Sequence, residues 1–567
     1  MRPDALQKTA TQSFVLRCKR WADLVKRWQW SLIALVILIA IVSRGILLFG
    51  TPLMPGTNGV YYLVQARALL LHGSLGLPDL PLTFCMQASL ARFLQWLSGW
   101  DLDSCILLAV KLTDAVLPAL AALPVALLVR RWGKGANAAQ WIAPAAAAVV
   151  TLNTPVLDMV GSLGKNSLCL LWLAALLLFI HLWMSCPTWR NAAGVLGFWA
   201  LIAVTHIGVF GASLIFGGLA LVFYIAMERG RALCALWPLL IAVVAVGLLA
   251  AGMVLWKFDA HRIQRLAEAL IHPADFLTGN NMGAHGGPGG GPQGAMAGFP
   301  GNHAAFLQWL PSLVFGLASV AALVTCWRFR GALSVADICV VGACSVGVLF
   351  LTGPWVQGDK TPRFNLIAIT PAAIAGAFAL MHCKPHWLRA GLSLLISVCV
   401  IGPSLEILHR GGMPIVNEKG LRELRSLAPL IVNPEKTLIA ARHGMEWWTA
   451  WTLHTHIAQI PALSTSDWQA FDAVFFLRSK KNDRSSPGGG FAKPPGPPPG
   501  GLRRDTNPMA EPEIPSDAEI IHDGNTFILA RIALAPRFVV EQTGGSQIES
   551  EDRRVRKIHA ESTDRLP

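Results

Sequence analysis

Residues 44–82 read RGILLFGTPLMPGTNGVYYLVQARALLLHGSLGLPDLPL. The stretch leaves an apolar run, holds a tyrosine pair (Tyr61, Tyr62), continues as an amphipathic helix and carries a lone acid, Asp79. It is the longest polar, motif-like segment between the first two hydrophobic spans. What flanks it decides the fold. Runs of about 20 apolar residues lie on either side, long enough to cross a bilayer as helix. The stretch is therefore read as a loop held over one membrane face by a helical scaffold.

Composition agrees. The chain is 53% hydrophobic and only 14% charged, which is too little charge for a soluble chain of this length. A net charge of +14 would suggest nucleic acid for a soluble protein. Here Lys- and Arg-rich loops on the cytoplasmic side explain it, and no nucleic-acid partner is expected. The eleven cysteines form no CxxC pair and sit mostly in apolar runs, so they read as small buried hydrophobes.

Spans are predicted at 30–50, 104–130, 140–157, 166–185, 192–206, 208–227, 233–256, 305–326, 335–352, 364–382 and 387–405, about eleven transmembrane helices. The basic tail 1–29 and the clusters at Arg130/Arg131/Lys134, Arg190, Arg229/Arg231, Arg328/Arg330 and Lys384/Arg389 fall on one side if spans alternate. The positive-inside rule makes that side the cytoplasm. The expected protein is a mainly α, polytopic helical bundle of the plasma (inner) membrane, its N-terminus cytoplasmic. Loops 51–103 and 257–304, the second Gly-rich, then face outward. So does a small extracytoplasmic α/β domain over 406–540, followed by a polar tail, 541–567.

Within loop 51–103 two interfacial helices are expected, one over Tyr61–Leu71 and one carrying Leu90, Phe93, Leu94 and Leu97 at helical spacing. In the C-terminal part Leu421, Leu424 and Leu427 mark a helix. TLIAAR and DAVFFLR read as strands, with GMEWWTAWTLHTHI a helix between them. AEIIH and NTFILARI flank Asp523-Gly524, a hairpin signal. The Pro/Gly-rich insertion 482–516 is expected to be disordered.

Charges near or inside spans need a reason. Lys111 and Asp114 are spaced to pair on one helix face, and Arg44 ends the first span. GSLGKNS opens a helix with Lys165, whose free backbone N–H groups and ammonium suit a phosphate; a snorkelling anchor is the plainer alternative. His206 (AVTHIGVFG) lines a site or holds a structural hydrogen bond. GPWVQGDKTPRFN brings Lys360 and Arg363, the latter able to clamp a phosphate in a bidentate manner. His261, His272, His285 and His303 fit no standard metal spacing. Trp447, Trp448 and Trp451 read as domain core before sugar platform.

The ordered combination of YYLVQARALLLHGSLG…PD.PL, GSLGKNSL, TH-G and PRFNLIAITPAAIAGAF ahead of a terminal α/β domain resembles the GT-C class of membrane glycosyltransferases. That class includes the protein mannosyltransferases, the aminoarabinose transferases and the oligosaccharyltransferase catalytic subunits. The likeness spans roughly residues 30–405 and rests on layout and short motifs. It implies transfer of a sugar from a polyprenyl-phosphate donor to a glycan, lipid or protein acceptor at the outer face. It also implies an acid in the first outer loop, acting as base or metal ligand. The best-matching position here is Asn58, and an amide takes no proton from a hydroxyl. Either Asp79 has taken the role or the usual chemistry is lost. On this reading Asp79 is catalytic, and Arg44, Asn58, Tyr61, Tyr62, Lys165, His206, Lys360 and Arg363 bind substrate. No cofactor is implied with certainty; a divalent metal at Asp79 is one option. Membrane lipids complete the partners. The competing expectation is a non-catalytic transporter or assembly partner for lipid-linked sugars or envelope polysaccharide, which the mid-span charges would suit.

Overall fold

The computed structural model describes residues 28–133, 139–228, 301–356, 360–383, 385–459, 471–480, 511–512 and 514–532. Among these, six helices are long and apolar enough to cross a membrane: Trp28–Phe49, Leu102–Trp132, Gly164–Ser185, Ile207–Glu228, Arg363–His382 and Trp387–Arg410. Two shorter apolar helices, Ser312–Arg328 and Val335–Leu351, accompany them. The first helix, α1 (Trp28–Phe49), leaves Leu38 and Val42 half-exposed, at 55% and 50%. Such a stripe on a structured helix is stable against acyl chains and costly in water. The chain is an integral membrane protein. The expected span 233–256, residues 257–300 of the expected loop 257–304, and residues 1–27 and 533–567 lie outside the described residues, whereas 28–29 of the expected tail and 301–304 of the expected loop are helical.

Local signals set the helix ends. The loop after α1 folds into α2 (Gly59–His72) and α3 (Leu82–Ser98), the two helices expected there. Each stops at a glycine in the left-handed region, Gly73 and Gly99 (φ 69° and 68°), where the glycine N–H returns to a carbonyl of the last turn. Next, α4 (Leu102–Val116) starts on Asp101, whose carboxylate takes the Ser104 N–H at 2.8 Å. At Pro118 the chain tightens into a 3₁₀ turn and runs on as α5 (Ala122–Trp132).

The expected span 140–157 is two helices, α6 (Ala139–Leu152) and α7 (Thr154–Asp158). Asn153 ends the first by donating its Nδ2 to Val149 O at 2.8 Å and starts the second by accepting the Val156 N–H at 2.9 Å, a break the apolar average hides. The bundle continues with α8 (Gly164–Ser185), α9 (Trp189–Ala203), α10 (Ile207–Glu228), α11 (Gly301–Arg328), α12 (Val335–Leu351), α13 (Lys360–His382), α14 (His386–Ile401) and α15 (Ser404–Arg410). Its core is a continuous cluster of Ala, Val, Leu and Ile from α5, α6, α8, α12 and α13.

The C-terminal region opens with α16 (Glu418–Ser426), capped by Asn417 onto the Gly420 N–H at 2.8 Å. Then come β1 (Thr437–Ala441), α17 (Met445–Leu453), β2 (His456–Gln459), β3 (Ala473–Ser479), β4 (Glu519–Asp523) and β5 (Phe527–Ile532). The sheet order is β2-β1-β3-β5-β4, with β1 parallel to both neighbours and β3-β5-β4 antiparallel. One expectation is corrected here. LHTHI is not the tail of a helix: α17 stops at His454 in the left-handed region (φ 58°) and His456–Gln459 pairs beside β1. Residues 482–510 and 513 of the insertion 482–516 lie outside the described residues; Glu511 accepts the Ser479 N–H at 3.0 Å.

The sheet domain shares one core with the loop helices. Leu48, Met54, Leu63, Phe84 and Ile106 belong to the same buried cluster as Trp447, Phe475 and Leu529. The loop is thus clamped between bundle and sheet domain.

Candidate active site

Two glycines bring the first loop and the turn before α8 together. Gly56 (φ 81°) donates its N–H to Met413 O at 3.0 Å, and Gly161 (φ 76°) lies against it. A methyl on Gly161 would stand 2.5 Å from Pro55 O, and one on Gly56 would stand 2.8 Å from the Gly161 carbonyl carbon. Only glycine combines that backbone conformation with so close an approach. Thr57 N–H then reaches Ser162 Oγ at 3.2 Å. The contact sets the first turn of α8, and with it Lys165, against α2.

On α2, Tyr61 and Gln65 are four residues apart and share a face. Gln65 is fully buried. Its Nε2 donates to Tyr61 Oη at 3.0 Å and to Leu77 O at 2.9 Å, while its Oε1 accepts the Leu77 N–H at 3.1 Å. That two-way grip folds the segment after α2 back along the helix and delivers Asp79 to the tyrosine. Asp79 is 2% exposed. Its Oδ1 takes the Leu80 N–H at 2.7 Å; its Oδ2 takes both the Tyr61 hydroxyl and the Lys165 ammonium. The Lys165 backbone N–H donates to Tyr62 Oη at 3.1 Å. A carboxylate, an ammonium and a phenol from three separated segments meet at one point.

Aromatic rings enclose it. Tyr61 meets Trp447 of the sheet domain edge-on with centroids 4.9 Å apart, and Phe84 of α3 at 5.6 Å. Lys165 Nζ lies 5.5 Å from the Phe84 ring centre. Burial, reinforced by the Asp79 charge, raises the Tyr61 phenol well above its ordinary value; burial does the same for Tyr62. Tyr61 therefore stays protonated and keeps donating to Asp79 throughout the neutral range.

The remaining expected residues divide. Arg44 is fully buried and is the cation of Asp114: Nη2 to Oδ1 at 2.6 Å, Nε to Asp114 O at 2.7 Å, with Nη1 on Val156 O at 3.3 Å. The Lys111–Asp114 pair allowed by spacing does not form. Lys111 instead donates to Thr51 O at 2.8 Å, and the other Asp114 oxygen takes the Gly161 N–H at 2.8 Å. Asp158 pairs with Arg410 at the surface, at 2.9 Å. Asn58 is half-buried at the start of α2 and makes no capping bond.

His206 Nδ1 accepts the Val209 N–H at 3.2 Å. The neighbouring Val204 O takes the Leu82 N–H at 3.3 Å, which sets the His206 turn beside the Asp79 segment. Arg363 is exposed in the first turn of α13, a helix packed on α7 and α8. Lys360 begins the same helix, and its side chain lies outside the described residues, as does that of His303; His261, His272 and His285 lie outside them altogether.

The donor set around Asp79 does not fit a divalent metal. An ammonium occupies the same carboxylate oxygen a cation would need, and Tyr61 is held protonated. Gln65 and Trp447 were not anticipated as site residues. For Gln65 the signal was its spacing from Tyr61; Trp447 reads as domain core ahead of sugar platform, and its contact with Tyr61 crosses most of the chain.

No family model matches the chain, and no curated protein matches it in sequence. Solved structures do match in three dimensions. They include ArnT from Cupriavidus metallidurans bound to undecaprenyl phosphate and the same protein in the apo state. Each has a TM-score of 0.50 and 13% identity, and covers 89% of this chain and 98% of its own. The chain shares its fold, at low identity, with these ArnT structures. With 89% of the chain covered, the likeness extends past the bundle into the sheet domain, which the sequence motifs alone did not reach.

Proposed function

We propose that the protein is a membrane glycosyltransferase that moves a sugar from a polyprenyl-phosphate carrier to an acceptor hydroxyl at the outer membrane face. One observation carries the reading: Asp79, Lys165 and Tyr61 converge in a buried, aromatic-walled centre under the first loop. The GT-C fold supports it, since the ArnT it resembles binds undecaprenyl phosphate.

In this reading the carrier phosphate draws Lys165 away from Asp79, so donor binding itself frees the base. Asp79 takes the proton of the acceptor hydroxyl, and the acceptor oxygen bonds to the anomeric carbon from the face opposite the phosphate. The bond from that carbon to the phosphate oxygen breaks, and the electron pair leaves with the carrier. Lys165, with Arg363 and Lys360 at the start of α13, meets the charge that develops. Tyr61, Tyr62, His206 and Asn58 contact the sugar. Arg44, its guanidinium spent on Asp114 and Val156, braces the frame instead. The acceptor is a glycan, lipid or protein, and the compartment a plasma membrane with the C-terminal domain outside.

The test is transfer by the full-length protein in proteoliposomes offered a panel of polyprenyl-phosphate sugars. Asp79→Asn should lower the rate by about 10²–10⁴-fold, the usual worth of a general base. Undiminished transfer by that variant would overturn the role of Asp79. A second reading, a non-catalytic partner that binds lipid-linked sugar, is favoured by the engagement of both Asp79 oxygens. It predicts donor binding without turnover by the wild type.

A further inference from the structure

A second feature lies on the other side of α2 from Asp79. A cavity of about 450 Å³ occupies the seam between the sheet domain and the loop after α1. That volume is within the range of small-molecule sites, roughly 300–1,000 Å³. Its floor is aliphatic, built by Leu53, Leu63 of α2, Leu107 of α4 and Leu421 of α16. Its rim is cationic: Arg422 and Arg425 lie one turn apart on α16, with Glu418 a turn earlier as the one carboxylate among the lining residues. Both arginines are exposed, and among the described residues neither side chain has a hydrogen bond or an ion pair.

Two tryptophans complete the wall. Trp448 is 2% exposed, and its indole N–H has no partner among the described residues. Trp451 is pinned from behind. Buried Arg67 stacks on its ring, Cζ 4.2 Å from the centroid, and donates to Trp451 O at 2.8 Å and Ala450 O at 2.7 Å. Arg67 thereby satisfies the last carbonyls of α17 and fixes the Trp451 ring. Arg67 thus holds the Trp451 ring as a rigid aromatic wall beside the buried Trp448 indole.

Position selects the ligand. Leu107 lies in the second turn of the span Leu102–Trp132, and Leu53 lies just beyond the end of α1 at Phe49. Ile46 and Phe49, on the last turn of α1, are themselves half-exposed. The aliphatic floor is thus built beside the ends of two membrane spans, while the arginines come from α16 of the C-terminal region. A soluble phosphate would leave the leucines unused. A neutral sugar would leave both guanidiniums unused. We propose that the seam cavity holds an anionic phospholipid, its phosphate on Arg422 and Arg425 and an acyl chain along the Leu53–Leu63–Leu107 wall.

The test uses full-length protein in neutral detergent, titrated with phosphatidylglycerol or phosphatidylcholine and read by native mass spectrometry. Wild type should retain the anionic lipid preferentially. The double variant Arg422→Gln/Arg425→Gln, at two exposed positions, should reduce that preference about tenfold or more, as expected for losing two basic side chains at an anionic headgroup. Leu53→Trp, which fills the floor, should lower binding of both lipids. Equal retention of phosphatidylglycerol by wild type and double variant overturns the proposal, as does equal binding of the two lipids by wild type. Displacement of the lipid by equimolar glycerol phosphate would assign the site to the headgroup alone and overturn the lipid assignment. The readout is binding, so the outcome is independent of sugar transfer.

Discussion

Deleting the Lys165 ammonium tests the acid centre most directly. Lys165→Met keeps much of the side-chain volume and removes the charge. Asp79 is then left 2% exposed, with the Tyr61 hydroxyl and the Leu80 N–H still donating to it. Removing one partner of a buried ion pair costs about 3–5 kcal/mol, mostly the penalty of the charge left behind. The Lys165 side chain is 15% exposed, so water reaches its side of the pair and the low end applies, about 3 kcal/mol. Asp79→Asn in the same background removes the stranded charge and should recover about 2 kcal/mol of that loss. The assay is a double-mutant cycle, with unfolding of all four proteins in mixed micelles followed by tryptophan fluorescence. Coupling below about 0.5 kcal/mol, the level at which independent sites simply add, would refute the reasoning.

Other perturbations probe the supports of the site. Gln65→Leu unclamps Tyr61 and the Leu77 backbone, a cost of about 1–3 kcal/mol. If Gln65 positions Asp79, transfer should slow while donor binding, measured separately, stays near wild type; an unchanged rate would remove Gln65 from the site. Gly161→Ala and Gly99→Ala share a left-handed backbone, worth about 1–2 kcal/mol each. Only at Gly161 does the added methyl meet another segment, 2.5 Å from Pro55 O, whereas nothing lies within 4 Å at Gly99. Thermal unfolding should therefore fall further for Gly161→Ala, and equal losses would contradict the interlock.

Tyr61 and Tyr62 are both raised by burial. In the folded protein neither should form tyrosinate near pH 10, the ordinary value, and both should do so on unfolding. Because the folded phenols hold protons that the unfolded chain gives up, this contribution to stability is complete below about pH 10 and declines as pH rises further. Ionisation of two or more tyrosines near pH 10 in the folded protein would contradict their burial.

Much of the architecture is local and was legible in the linear chain. Run length and polarity mark the spans Trp28–Phe49 and Gly164–Ser185. Helical periodicity marks α2 and α3, and Asp523-Gly524 marks the hairpin β4–β5. Each depends on residues within a few turns of one another. Asp79, Lys165, Tyr61 and Tyr62 also stood out singly, as polar groups where a membrane loop has no cheap use for them. What spacing could not supply was partner choice. Lys111 and Asp114 are three apart and free to pair, yet Arg44, 70 residues away, takes Asp114 because α1 and α4 pack with both groups buried. The end of α17 depends on Arg67, which donates to its late carbonyls, among them Ala450 O, 383 residues away along the chain. Trp447 closes over Tyr61 only once the sheet domain shares its core with the loop. Elements are set by nearest neighbours along the chain, whereas a site is set by which buried charges find each other, and desolvation makes that choice only after the helices have packed.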